Sequence, residues 1–196
     1  MRPGDRPDLS DVQTRYRSSL VYVLCFTTLT FAVLGLITIA LKAPVVFPPL
    51  AATAFILFAF PLAEESYPRN VLGSYVIGVL AGMAAVAIFG LWQTPSDLLE
   101  LPWDRFGASI LGMALAVAGI TFLRALHVPA FAATVMVTLG IIYRPEQYGY
   151  MIVLVAVMIG VALAVNRAFG LKQALWSGPL VSEPKPSRGK PRPDAD

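Results

Sequence analysis

Two short stretches carry the residues best suited to chemistry. Phe47-Pro48-Pro49-Leu50-Ala51-Ala52-Thr53 recurs 81 positions later as Val128-Pro129-Ala130-Phe131-Ala132-Ala133-Thr134. Proline suits the first turn of a helix, because the N–H it lacks would have no partner there. Each stretch therefore predicts a helix start with Thr53 or Thr134 in its opening turns. Free amides and the positive end of the helix dipole attract an anion at such a start. Ala52 and Ala133 leave room for a small ion, and the threonines add hydroxyl donors. The chemistry expected of Pro48, Pro49, Ala52 and Thr53, and of Pro129, Ala133 and Thr134, is recognition of a small anion. The competing expectation is that the prolines begin helices at the lipid surface and the threonines bond to their own backbone.

Charged and titratable residues lie close by. Arg69 and Asn70 follow the first stretch in Tyr67-Pro68-Arg69-Asn70, and Arg144 follows the second in Tyr143-Arg144-Pro145. Arg124 is the only charge in the apolar block 107–126 and stands three residues before His127, the single histidine. A charge in a membrane segment faces a partner, a cavity or the interface, and an arginine near a helix end can also snorkel. Arg69, Asn70, Arg124 and His127 thus complete the candidate substrate site. Headgroups and Glu64, Glu65 and Glu146 are rival partners for the arginines. Without Cys, Asp or Glu neighbours, His127 is not expected to hold a metal. It is a candidate proton carrier or a hydrogen-bonded structural residue. No nucleophile–base pair, glycine-rich phosphate loop or paired carboxylate falls in the apolar blocks. Neither enzyme activity nor a cofactor is expected.

The elements that must position these residues are helices in lipid. Hydrophobic residues make up 57% and charged ones 14% of the chain, against roughly 25% charged in ordinary domains. Apolar blocks run over 20–41, 45–63, 71–92, 107–126, 128–142 and 150–168, and about 20 residues span a bilayer. The lipid bilayer is the first partner implied. The net charge of +3 does not point to nucleic acid, because the basic residues sit mostly in the tails, where they set orientation. With six crossings, twelve Lys and Arg fall on the side of the termini and three, Lys42, Arg105 and Arg144, on the other. With four crossings the split is eleven to four. Both place the termini in the cytoplasm of an inner-membrane protein. The charged lead precedes about 22 apolar residues, longer than a signal peptide's apolar region. Cys25, the only cysteine, permits no internal disulfide and is expected as apolar filling.

Five segments follow: a lead over 1–18, a first membrane repeat over 19–92, a linker over 93–106, a second repeat over 107–170 and a Pro-rich basic tail over 171–196. The tail cannot bury enough apolar area to fold alone. Trp92 and Trp103 flank the linker as interfacial anchors. The fold class expected is all-α, a polytopic membrane protein of two tandem repeats, each with a Pro-interrupted segment. If each half crosses three times the repeats are inverted; if the short segments re-enter, they are parallel. Gly78 and Gly82, and Ala156, Gly160, Ala164 and Ala168, form small-residue faces for helix packing. Self-association is expected, since six short segments leave little interior in one chain.

The stretch Pro49-Leu50-Ala51-Ala52-Thr53-Ala54-Phe55-Ile56-Leu57-Phe58, with Pro61 and Pro68-Arg69-Asn70-Val71-Leu72-Gly73, resembles the HPP family of small integral membrane proteins. So do His127-Val128-Pro129-Ala130 with the Ala-Ala-Thr that follows, and the closing Asn166-Arg167. The resemblance spans about residues 20–168. It implies four transmembrane helices and, through plant and cyanobacterial members, an association with nitrite transport. Two departures stand out. His-Pro-Pro is here His127-Val128-Pro129, and the Gly-Gly-His after Pro-Arg-Asn is Gly73-Ser74-Tyr75. A mechanism built on those histidines is therefore not implied. The reading is a transporter or channel for a small monovalent anion such as nitrite or nitrate. Its alternative is a non-transporting membrane scaffold or accessory subunit.

Overall fold

The computed structural model describes residues 9–40, 48–97, 100–171 and 175. Arg2, Arg6, Lys42 and the Pro-rich segment 178–196 lie outside the described residues. Among the described residues the chain is all helical: α1 (Leu9–Ala40), α2 (Pro48–Ala59), α3 (Pro68–Ile88), α4 (Trp103–Phe122), α5 (Pro129–Thr138) and α6 (Pro145–Ala168), with a 3-10 turn at Glu64–Ser66. Both duplicated motifs begin helices, since Pro48 opens α2 and Pro129 opens α5. Pro68 and Pro145 open α3 and α6 in the same way. α1 starts ten residues before the boundary expected at 19, so part of the polar lead is helical.

Among the described residues, four helical stretches are long and apolar enough to cross a bilayer: Ser19–Ala40, Pro68–Ile88, Trp103–Phe122 and Pro145–Ala168. α2 and α5 have 12 and 10 residues, about 18 and 15 Å of helix, well short of a core about 30 Å thick. Each half is thus a long helix, a short proline-started helix and a second long helix.

Contacts fix the helix directions. Arg69 of α3 reaches the Leu123 carbonyl just after α4, while Gly119 packs on Ile77 and Gly107 on Phe89. α3 and α4 are therefore antiparallel. Gly78 faces Ala130 and Thr134, and Gly82 faces Val137, so α5 runs parallel to α3. Trp92 meets Tyr148 at the start of α6, and Asn166 near its end reaches the Leu57 carbonyl of α2. Tyr22 and Phe26 of α1 pack on Phe58 and Phe169. α1 and α6 are antiparallel, and α2 ends where α1 begins. That end also carries Arg69, Arg124 and Arg167, while Arg105 and Arg144 lie at the opposite end.

α3 is the central helix, with half of its spanning window buried against 11% for α1. Its glycines permit this. A Cβ on Gly78 would stand 2.8 Å from Thr134 Oγ1 and 2.9 Å from the Ala130 carbonyl, so the expected Gly78–Gly82 face packs directly on α5. The other small-residue face behaves differently. Ala156, Gly160, Ala164 and Ala168 are exposed, and nothing lies within 4 Å of a Cβ on Gly160.

Helices α3 to α6 end alike. In each, the third residue past the helix has its amide on the carbonyl five back, as in Leu91 to Val86, Ala125 to Ile120, Ile141 to Met136 and Leu171 to Asn166. This closing motif places the residue before it in the left-handed region, where glycine is favoured. Gly90, Gly140 and Gly170 fill it in three cases, but Arg124, at φ 48°, fills it in α4. Arg124→Gly is expected to raise stability by about 0.5–1 kcal/mol. A thermal midpoint in detergent that falls instead would refute this account of Arg124.

Candidate functional site

Thr53 is the residue through which the first short helix is hydrogen-bonded to the loop that leads into the second. Its Oγ1 lies 2.8 Å from Tyr75 Oη of α3 and 2.8 Å from Nε2 of His127, two residues before α5. The other imidazole nitrogen, Nδ1, stands 2.8 Å from the Glu65 carbonyl in the 3-10 turn. A carbonyl only accepts, so Nδ1 carries the proton and Nε2 of the neutral ring accepts. Thr53 must then donate to His127, and Tyr75 must donate to Thr53. The chain of donors runs one way, from Tyr75 through Thr53 and His127 to Glu65. Tyr75, Thr53 and His127 are all 0% exposed. His127 lies in the loop between α4 and α5, and burial pushes its pKa down from 6.5 to about 4, opposed by the Glu65 carbonyl. It is uncharged at neutral pH.

The Pro-Arg-Asn segment serves the same junction from α3. Arg69 Nη2 donates to the Leu123 carbonyl at 3.2 Å, Asn70 Nδ2 to the Glu64 carbonyl at 2.8 Å, and the Ser74 hydroxyl to the Ala125 carbonyl. Helix ends and loops leave carbonyls without intrahelical partners, and these side chains satisfy several of them. Loops 60–67 and 123–128 are thereby fastened to the first turns of α3. Asn70 Oδ1 is buried without a partner among the described residues.

The structure brings together Thr53, His127, Arg69 and Asn70 among the expected site residues. It does not bring Thr134 to Thr53. Thr134, also 0% exposed, bonds back to Ala130 of its own helix at 3.3 Å. Pro49, Pro129 and Ala133 are buried, whereas Pro48, Ala52 and Arg124 are exposed. At the start of α5, the Ala130 amide donates to the His127 carbonyl and the Phe131 amide to the Val128 carbonyl, both at 3.1 Å. Two of the amides expected to face an anion are thus engaged by the chain itself.

Several polar residues here were not among those expected. Tyr75 is central, and its signal was in the sequence, since it stands at one of the two departures from the HPP pattern. The other departure adjoins His127, and the two rings lie 5.9 Å apart. Asn166, expected as a polar cap at the surface, is instead 0% exposed. It donates to the Leu57 carbonyl at 3.1 Å and accepts from Tyr22. Leu57 lies in the last turn of α2, whose carbonyls lack helical partners, and a buried donor is what that turn requires.

No curated protein and no solved structure matches the chain. The family model described as HPP, transmembrane region, matches residues 13–176. That range takes in the four spanning stretches, both short helices and the junction between them. The chain belongs to the HPP family of membrane proteins.

Proposed function

We propose that this multi-pass membrane protein moves a small monovalent anion, of the nitrite or nitrate class, through the region where α2 and α5 meet. The observation that carries the reading is the Thr53–His127 contact at 2.8 Å. It ties α2 to the loop that leads into α5, two short, proline-started helices that run in opposite directions inside the bundle. In lipid, helices that begin at depth occur where protein or a cavity covers their ends, and paired ones mark transporter sites. The directions α1–α3 against α4–α6 support an inverted repeat. Arg69, Arg124 and Arg167 sharing the end where α1 begins supports cytoplasmic termini in an inner membrane. The nitrite association implied by the HPP resemblance agrees with this substrate class. No catalytic step is part of this function.

Flux into proteoliposomes tests the proposal, with nitrite, nitrate, chloride and formate compared at two pH values. Protein-free vesicles control for nitrous acid, which crosses lipid unaided. Saturable flux is expected, falling about tenfold in Thr134→Val; among the described residues the Thr134 hydroxyl bonds to the Ala130 carbonyl of its own helix. Folded protein that passes none of these ions above the control would end the reading.

A second reading, an accessory subunit without transport, is favoured by the complete burial of Thr53, Thr134 and His127. Cysteine placed at 53 or 134 in a Cys25→Ser background separates the two. Labelling by an impermeant charged thiol reagent fits a wet pathway, and resistance at both sites fits a packed interior.

A further inference from the structure

The two ends of α4 carry arginines in contrasting settings. Arg105, in the first turn, is buried and donates to the Thr138, Thr94 and Pro95 carbonyls, with Asp104 beside it. Arg124, two residues past the last turn, is exposed. Its side chain has no hydrogen bond or ion pair among the described residues. Its backbone is nonetheless held at φ 48°, where the residues closing α3, α5 and α6 are all glycine. A non-glycine residue held there costs energy, and such outliers cluster at ligand clamps and switch regions.

The neighbours of Arg124 define what it can hold. Arg69 Nη2 donates to the Leu123 carbonyl, the oxygen of the peptide bond that joins Leu123 to Arg124. A second positive charge therefore stands against the backbone of the first. Pro68 opens α3 at the same level, which adds the positive end of a 21-residue helix. Beyond Arg124 the loop alternates: Ala125 and His127 are buried, whereas Leu126 and Val128 are exposed. Its outward side presents a charge and then two aliphatic side chains. Phe122, the last residue of α4, adds an aromatic ring that is 85% exposed. Glu64 and Glu65 lie in the turn that precedes α3, and neither carboxylate pairs with Arg124 among the described residues.

We infer that the outer face of loop 123–128 is a docking surface for one anionic membrane phospholipid. Its headgroup phosphate is held by Arg124 together with Arg69, and its acyl chain lies along Phe122, Leu126 and Val128. Phosphate is a ligand that the planar guanidinium pairs with bidentately. The depth agrees, because the spanning stretch of α4 ends at Phe122 and Arg124 follows at headgroup level. Charge alone does not select a lipid over a soluble phosphate; the exposed apolar side chains on either side of Arg124 do. The inward side of the same loop carries His127, bonded to Thr53, and its Leu123 and Ala125 carbonyls are tied to α3. A bound headgroup thus braces the loop that holds the junction, which makes lipid composition a control on it. The surface stands whether or not the protein transports a solute.

Titrating the delipidated full chain in dodecyl maltoside with phosphatidylglycerol or phosphatidylcholine tests the surface. Native mass spectrometry reads the bound lipid, and the thermal midpoint reads its effect. One phosphatidylglycerol per chain is expected to bind saturably and raise the midpoint, with phosphatidylcholine at least about tenfold weaker. Arg124→Gly and Arg124→Asn, both tolerated in the left-handed region, should each weaken phosphatidylglycerol about fivefold. Arg124→Gly should also raise the lipid-free midpoint, so stability and lipid affinity move in opposite directions, which damage to the fold does not produce. Arg167→Gln removes an equal charge at the same end of the bundle and should change affinity by less than about twofold, since distant exposed charges are screened. Unchanged affinity in both Arg124 variants overturns the inference, and so does equal binding of phosphatidylcholine. An equal loss in Arg167→Gln would show diffuse charge rather than a site. Displacement of the lipid by an equal concentration of glycerol 3-phosphate would show a soluble-phosphate site and overturn the lipid.

Discussion

Thr53→Val is expected to destabilise the protein by about 2 kcal/mol, whereas Thr53→Ser should cost well under half of that. Valine matches threonine in shape but removes the hydroxyl that joins Tyr75 to His127. Both partners have no exposed surface, so water cannot replace it. Each orphaned group costs about 1–3 kcal/mol. Single interhelical hydrogen bonds in membranes average only about 0.6 kcal/mol, which sets the lower bound. Tyr75→Phe should fall between the two Thr53 variants, because Thr53 keeps His127 as its acceptor. Reversible unfolding in mixed micelles would rank the three. Valine indistinguishable from serine would mean that the chain of donors contributes nothing to stability.

The same residue change at two glycines should give opposite results. Gly78→Ala is expected to cost about 1–3 kcal/mol, the usual range for overpacking. Its new methyl meets Thr134 Oγ1 at 2.8 Å, which can rotate away, and the Ala130 carbonyl at 2.9 Å, which cannot. α3 and α5 must then separate, and the junction at their start loosens with them. Gly160→Ala meets nothing within 4 Å. Alanine there should be neutral or stabilise the helix by up to about 1 kcal/mol. Thermal midpoints of the two variants in one detergent provide the comparison. If Gly78→Ala were as harmless as Gly160→Ala, the close approach of α3 to α5 would be disproved. A loss at Gly160 would instead reveal a second chain packed on α6.

Local features of the fold were readable from the sequence because they depend on neighbouring residues. Proline at 48 and 129 specifies a helix start wherever the helix sits, and four residues separate Gly78 from Gly82 on one helix face. The lengths of α2 and α5 were less clear, since the apolar blocks 45–63 and 128–142 continue beyond the helices at one or both ends. Hydropathy does not distinguish helix from buried loop. Contacts between distant residues were not legible. Thr53 and His127 are 74 positions apart, and no periodicity links them. Arg105 was counted as a charge that orients the chain, because the linker around it is polar. Its burial follows from a helix end elsewhere, where Thr138 closes α5 and needs a donor. Asn166 is the same case with Leu57. In both, the polar residue is matched to a carbonyl that only the folded helix ends expose.

The last member of the donor chain, the Glu65 carbonyl, limits what the junction can transmit. A peptide oxygen accepts a hydrogen bond but has no hydrogen of its own to pass on, so the row from Tyr75 to His127 is a cul-de-sac for protons. A hop along it would leave a protonated amide at the blind end. In this conformation, a proton cannot be relayed through the imidazole. Swinging the 3-10 turn at Glu64–Ser66 away would uncover Nδ1 to water and remove that block. The block therefore lasts as long as that turn keeps the Glu65 carbonyl on Nδ1.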